Sequence, residues 1–219
     1  MRPDDSGLES YLQRLLSEST RVASQEGWRT AQSPGGPPLF NYREDHVGMV
    51  VALAKKIAAD SGADQRIVTL AAWLHDISKP DIGGPEDHGR ESAERAREIL
   101  ASQGVSPHDI DRICKTIEAH VGLTLNGPLA SPEAQALWEA DKIVKLGVSG
   151  FIHYLVNALR LRPGMSTEDL ARELRDFLPL AHRIASSMHT KAGRMMANQR
   201  LGHILELSRM LDAELEQVR

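Results

Sequence analysis

A histidine and an aspartate stand side by side at the end of an apolar helical stretch in this chain. The stretch covers residues 70–74, and His75 and Asp76 follow it directly. Burying an imidazole and a carboxylate is costly unless a partner compensates each of them. Neighbouring residues of a helix point about 100° apart, so a single ion beside the helix end satisfies both better than packing does. The pair therefore predicts a fold built around a buried polar site.

Four further side chains are candidates to complete that site. His46 leads the apolar stripe of the preceding helix, and Asp141 lies in an apolar segment where an unpaired carboxylate needs a partner. His88 and His120 lie between them in the chain and are candidates to hold a second ion, which Asp76 would bridge. Imidazole suits Mn, Fe, Co, Ni and Zn, and carboxylate suits harder cations such as Mg. We therefore expect a divalent ion from this group in an open site, not a closed zinc anchor built from cysteine.

The length, charge and cysteine content of the chain limit the kinds of protein it can be. The chain has 219 residues, a net charge of −4 and one cysteine, Cys114. The length suits one domain with a sizeable core, and the charge predicts no nucleic-acid or membrane partner. A single cysteine allows no disulfide within the chain and fits a reducing compartment. The start lacks the apolar segment of a signal peptide, and no apolar run has the length of a bilayer span, so we expect a cytoplasmic protein.

The pattern of helix starts and stops predicts an all-α domain. Alanine and leucine are abundant, aromatic residues are only 4% of the chain, and no segment alternates as a strand does. Asp64, Ser106, Ser131 and Ser166 have the chemistry of helix N-caps. Residues 80–87 read as a Gly/Pro-rich loop, and His153 reads as an ordinary core residue. The predicted helices cover residues 8–23, 42–60, 64–76, 89–103, 106–120, 131–146, 151–161, 166–177 and 180–218, the last as one helix or two.

Glycine and proline divide the chain near its N-terminus. Gly27 and the segment 33–38 interrupt the helical pattern. We therefore predict that residues 1–38 are a loosely attached helical arm with a Pro/Gly linker. Residues 39–219 are expected to form the helical domain, with a C-terminal helical extension.

Four residues, in this order along the chain, resemble the metal-binding motifs of the HD superfamily of metal-dependent phosphohydrolases. They are His46, the pair His75-Asp76, and Asp141. Longer sequence segments also resemble the family, in residues 40–43, 71–80, 87–93, 117–120 and 140–147. The ordered set is far more specific than the dipeptide alone. The resemblance covers residues 39–150. It implies a helical HD-type bundle around a buried metal site, with His46, His75, Asp76 and Asp141 binding one divalent ion and His88 and His120 binding a second ion or the substrate phosphate.

The resemblance implies hydrolysis of a phosphate ester or anhydride in a small phosphorylated metabolite, by family habit a nucleotide. The ion would activate water and neutralise phosphoryl charge, so Asp76 carries a catalytic role. Lys79, three residues later, is predicted to contact the phosphate and assist catalysis, and Arg43 is a second candidate for phosphate contact. His88 or His120 is a candidate general acid where it is not a ligand.

Two other functions are compatible with the same residues. Some HD proteins with four histidines and two aspartates resemble di-iron oxygenases, which cleave a C–H or C–P bond with dioxygen. A non-catalytic HD module that senses a nucleotide is the other alternative. The N-terminal arm and the C-terminal helices leave room for a homo-oligomer or another partner.

Overall fold

The computed structural model describes residues 5–27, 41–79, 87–162 and 164–218. All regular secondary structure in these ranges is helical, which confirms the predicted fold class. No helix among them is both long and apolar enough to cross a bilayer. The helices are α1 (Asp5–Gly27), α2 (Tyr42–Ser61), α3 (Gln65–Leu74), α4 (His88–Ser102), α5 (Pro107–Glu118), α6 (Pro132–Val144), α7 (Gly147–Leu161), α8 (Thr167–Ser186) and α9 (Lys191–Glu216).

Side-chain caps begin several helices where the sequence predicts them. Asp64, Ser106 and Ser131 each accept a hydrogen bond from backbone N–H groups in the first turns of α3, α5 and α6. Ser166 and Asp169 form the reciprocal hydrogen bonds of a capping box at the start of α8. These bonds satisfy backbone donors that a helix cannot satisfy internally. The starts of these four helices are therefore predictable from local sequence.

The boundary between the last two helices differs from the prediction, which ended a helix near Phe177. Helix α8 instead continues through Pro179 to its end at Ser186. Proline removes a helical hydrogen bond and disturbs the preceding turn. Burial of Ala181 and Ile184 beyond the proline compensates for that loss. The break falls in residues 187–190, where Thr190 caps α9, so the expected final segment is divided between two helices.

Helices α2, α3, α5 and α6 surround the main core. Helix α2 packs against α3 and α6, α3 packs against α5, and α4 lies along α5. The C-terminal helices extend this unit, because α9 contacts α2, α6, α7 and α8. Large side chains with almost no exposed surface fill the centre, among them Ile57, Ile67, Leu70, Ile113, Ile117, Leu137 and Trp138. This packing brings the C-terminal ends of α3 and α5 close to the N-terminal part of α2 and the C-terminal part of α6.

The N-terminal helix packs against the same core. Leu8, Leu12 and Leu16 repeat every four residues on α1 and are buried within the main apolar cluster. Helix α1 is therefore attached more closely than we expected. The boundary at residues 38/39 stays a prediction, because the linker segment 33–38 lies outside the described residues. The predicted loop 80–87 also lies outside them, apart from Asp87.

Candidate metal centre

Six predicted ligands meet where the helices of the core converge. Two lie within helices and four lie at or beside helix ends. They are His46 on α2, His75 at the C-cap of α3, Asp76 in the following turn, His88 at the start of α4, His120 just after α5, and Asp141 on α6. The structure therefore brings together side chains that are up to 95 positions apart in the chain, from His46 to Asp141.

The ligand atoms form two overlapping groups of three. One nitrogen or oxygen atom from each of His46, His75 and Asp141 lies within 4.8 Å of the others, and the same holds for His75, Asp76 and His120. His75 belongs to both groups. His88 lies at the edge of the second group, with its Nε2 atom 3.7 Å from Oδ1 of Asp76. This separation between donor atoms suits a common cation better than direct hydrogen bonding among the donors.

Backbone carbonyls fix the orientation of two of these imidazoles. Nδ1 of His75 donates to the carbonyl of Ala72 at 2.7 Å, and Nδ1 of His120 donates to the carbonyl of Ile117 at 2.5 Å. A carbonyl only accepts, so each Nδ1 carries the proton and each Nε2 retains its lone pair. Metal-binding histidines usually have such a hydrogen bond on the second nitrogen. Both Nε2 atoms are therefore prepared to donate electron pairs into the site.

Two buried polar atoms in the site have no hydrogen-bond partner. They are Nε2 of His75, whose residue is 0% exposed, and Oδ1 of Asp76. An unsatisfied buried acceptor costs about 1–3 kcal/mol, and native proteins contain few of them. Both atoms are lone-pair donors that belong to the same group of three. This is the chemistry that a divalent cation requires, so the residues present fit a metal ion.

The protonation states of the site also suit a cation. Burial lowers the pKa of His75 to about 4 and lowers the pKa of His46 as well, because the charged imidazolium is poorly solvated there. Burial by itself would raise the pKa of Asp76, but His75, His120 and Lys79 hold the pKa of this carboxyl well below its usual value. At neutral pH the site therefore offers neutral imidazoles beside a carboxylate anion.

Two lysines surround Asp141. Lys142, itself buried, pairs with Oδ2 of Asp141, and Nζ of Lys145 lies 2.9 Å from Oδ1. Burial opposes the charge on Asp141, yet the two lysines hold the pKa of its carboxyl well below the usual value. Nε2 of His46 lies 3.2 Å from the same Oδ1 atom. Asp141 is thus kept anionic beside the imidazole with which it forms the first group.

Lys145 is a site residue that the sequence analysis missed. It follows Asp141 by four residues, so the two side chains share a helix face, and that spacing is the signal that would have found it. Lys145 also lines a cavity of about 640 Å³ together with His46 and Tyr42. Burial disfavours its charge, but Asp141 raises the pKa of Lys145 above its ordinary value. A permanent cation therefore lies between the candidate metal centre and this cavity.

The two predicted phosphate contacts lie in different surroundings. Nζ of Lys79 is 3.9 Å from Oδ2 of Asp76, and its side chain is 28% exposed. Arg43 is buried, and its guanidinium donates to the carbonyls of Asp76 and Ile77 at 3.2 and 3.0 Å and to Oγ of Ser19 at 2.7 Å. Lys79 is therefore at the accessible side of the site. Arg43 lies behind it and connects α1 to the turn that carries Asp76.

A family model described as an HD domain matches residues 43–146, a segment that contains all six candidate ligands. Solved structures resemble nearly the whole chain. Bacillus subtilis YpgQ in complex with ADP is 20% identical and covers 93% of this chain and 97% of its own, with a TM-score of 0.64. A Lactobacillus plantarum protein is 20% identical over 99% of both chains, with a TM-score of 0.66. An HD-superfamily hydrolase from Bacillus thuringiensis is 15% identical over 94% of this chain and 98% of its own, with a TM-score of 0.62. No curated protein sequence matches the chain.

Proposed function

We propose that the protein is a metal-dependent phosphohydrolase that acts on a small phosphorylated metabolite, specifically a nucleotide, because a family model described as an HD domain matches residues 43–146. The observation that carries the proposal is the convergence of the two ligand groups around buried atoms of His75 and Asp76 that no protein group satisfies. The complex of Bacillus subtilis YpgQ with ADP supports a nucleotide substrate, because that protein shares the fold.

In this proposal His46, His75, Asp76 and Asp141 hold one divalent ion. Asp76 has a second oxygen that faces His120 and His88, at 3.5 and 3.7 Å from their Nε2 atoms. These three residues provide a place for a second ion. An ion bound by these residues would supply Lewis acidity, which would make water a stronger nucleophile at neutral pH and neutralise charge on the phosphoryl oxygens.

The protein's own cations orient the phosphate. Lys79 is partly exposed beside Asp76 and acts as a point charge on a phosphoryl oxygen. Lys145 provides a second positive charge on the side of the cavity. His88 is the most accessible imidazole of the set, with 18% of its side chain exposed. Where it is not a ligand, it is placed to give a proton to the leaving oxygen.

Metal analysis combined with a phosphate-release screen tests the proposal. The purified protein is expected to carry at least one transition metal or magnesium ion per chain and to release phosphate or pyrophosphate from at least one nucleotide. Replacing Asp76 by alanine removes an oxygen ligand that both positions share. The variant Asp76→Ala should therefore lose bound metal and turnover together.

The exposed residue Asp111, which pairs with Arg97 on the surface, provides the matched control. Asp111→Ala should retain metal and activity. Hydrolysis by Asp76→Ala at the wild-type rate would refute the assignment of the site. If the protein contains iron and consumes oxygen in the presence of substrate, the oxygenase alternative would replace the proposal. If it binds nucleotides without hydrolysing them, the sensing module would replace it.

A further inference from the structure

Aromatic side chains are concentrated in one cavity next to the candidate metal centre. The chain has only three phenylalanines and three tyrosines. Four of these six, Tyr42, Phe151, Tyr154 and Phe177, line the cavity of about 640 Å³ described above. Ligand pockets of 300–1,000 Å³ are typical for small molecules, and aromatic rings pack favourably on flat partners. In a chain so poor in these residues, their grouping indicates a binding surface for a planar group.

The cavity adjoins the metal centre directly. His46 and Lys145 belong to both, and the ring of Tyr42 stacks on that of His46 with a centroid distance of 5.6 Å. A substrate whose phosphate lies at the metal centre would therefore place its organic part among these aromatic side chains. Tyr42 is itself held in place from the other side, because its ring meets that of His153 edge-on at 5.0 Å.

The far walls of the cavity come from α7 and α8. These helices contribute Phe151, Tyr154, Asn157, Leu174 and Phe177. All five residues lie beyond residue 146, where the family match ends. The far walls of the cavity are thus built from a part of the chain that the family match does not cover, whereas His46 and Lys145, on its near side, lie within the match.

Asn157 places an amide in this largely apolar wall. The residue is 9% exposed, and its Oδ1 atom is buried without a hydrogen-bond partner. Leaving such a group unsatisfied is costly. The Cβ–Cγ torsion of asparagine is broad, and rotation about it exchanges the acceptor and the donor that face the cavity. A ligand that carries both donors and acceptors on one edge would satisfy this amide in either orientation.

We infer that this cavity binds the aromatic base of the substrate and that Asn157 is a specificity-determining residue that hydrogen-bonds the edge of that base. The inference rests on the proposed function for the phosphate end of the ligand. A heteroaromatic base fits the two features of the wall, since it combines a flat face for stacking with polar atoms at its edge. The inference thus gives the base of the proposed nucleotide a place in the fold and names the residue that would contact its polar edge.

Binding of matched ligands tests the inference without requiring turnover. Metal-loaded protein is titrated by calorimetry with AMP, GMP, CMP and UMP, and with ribose 5-phosphate, which has the sugar and phosphate but no base. At least one nucleotide should bind the wild type 10-fold or more tightly than ribose 5-phosphate. Asn157→Leu keeps the branched shape and the number of heavy atoms of the side chain and removes the amide, so it should weaken binding of that nucleotide by roughly 10-fold. Phe177→Leu should weaken binding of the same nucleotide by roughly 2- to 10-fold, because the base loses its stacking on the ring.

The variant Asn198→Leu is the matched control, because Asn198 is exposed on α9 and lies away from the cavity lining. It should bind nucleotides like the wild type. The affinity for ribose 5-phosphate should change by less than twofold in the cavity variants. Where Asn157→Leu fails to fold, as judged by its melting temperature, Tyr154→Leu and Phe177→Leu carry the test, since Tyr154 is 38% exposed.

The inference is overturned if nucleotides bind the wild type no better than ribose 5-phosphate, or if the cavity variants and Asn198→Leu bind them equally. Its failure is distinguishable from that of the proposed function. If the protein releases phosphate from a nucleotide but the cavity variants bind nucleotides as tightly as the wild type, only the inference is overturned. If the cavity variants bind nucleotides more weakly but the wild type releases phosphate from none of them, only the proposed hydrolysis is overturned.

Discussion

Asp76 is held in position through its backbone. Nη2 of Arg43 donates to the carbonyls of Asp76 and Ile77, so the turn after α3 is anchored from behind by a buried guanidinium. The guanidinium of Arg43 also donates to the hydroxyl of Ser19. Its hydrogen-bond donors are therefore largely used by groups of the protein itself. Lys79 differs, because its ammonium group lies on the open side of the same turn. This contrast leads us to propose that Arg43 is a positioning residue and that Lys79 is the phosphate contact.

The variant Lys79→Ala should therefore impair catalysis and leave the metal bound. Loss of a charge-assisted hydrogen bond to a phosphate should lower kcat/KM by roughly 10- to 100-fold. Steady-state kinetics combined with metal analysis measures both effects. Lys115 is exposed on α5, and Lys115→Ala should behave like the wild type in both measurements. Loss of metal from Lys79→Ala would instead assign this lysine a structural role.

Helix α9 is attached to helix α6 of the main core through a buried carboxylate. Glu139 on α6 is fully buried and accepts hydrogen bonds from the backbone N–H groups of His189 and Thr190, at 2.6 and 2.8 Å, and from Gln135 at 3.0 Å. The Thr190 hydroxyl donates to it as well. Gly193 lies against this carboxylate, and a Cβ atom there would overlap it. One side chain thus joins α6 to the start of α9, where the positive end of the helix dipole favours an anion.

Replacing this carboxylate should loosen the C-terminal helices. Glu139→Gln keeps the size but loses an acceptor, so we expect a loss of about 2 kcal/mol in the free energy of unfolding. Denaturant titration measures this change, and hydrogen exchange should show faster exchange in α9 than in α5. Glu206→Gln is the control, because Glu206 pairs with Arg209 on the exposed face of α9 and should change stability by less than about 0.5 kcal/mol. Equal stability of both variants would show that Glu139 does not anchor the helix.

Short-range chemistry explains which elements the sequence predicts. The caps at Asp64, Ser106, Ser131 and Ser166 depend on neighbours within three residues, so they are visible in the chain itself. The predicted helix end near Phe177 is wrong, because α8 continues through Pro179 and tertiary burial of the residues after the proline outweighs the lost hydrogen bond. Glu139 was not identified, because two of its partners, His189 and Thr190, lie about 50 positions away and no local pattern indicates that contact.

The candidate site likewise has a part that the sequence predicts and a part that depends on tertiary packing. The order of His46, His75-Asp76 and Asp141 predicted the centre, since adjacent polar residues in apolar helices require compensation. The cavity was not predictable, because Tyr42 and the aromatic residues of α7 and α8 are brought together only by folding. Their spacing along the chain resembles ordinary core positions. Sequence thus identified the part of the molecule where charge must be compensated, and tertiary packing determined the part where a ligand would be recognised.

On the scale of the whole molecule, the candidate ligands come from five helices or their ends, so an ion that binds them stabilises the folded chain relative to the unfolded one. Ligand at about 100 times its dissociation constant contributes about 2.7 kcal/mol. For a chain of this length, each kcal/mol raises the melting temperature by roughly 2–4 °C. Adding manganese to chelator-treated protein should therefore raise Tm by roughly 5–10 °C in a thermal-unfolding measurement. Asp111→Ala should show the same rise, whereas Asp76→Ala should show little. An equal rise in both variants would mean that the ion binds elsewhere on the protein.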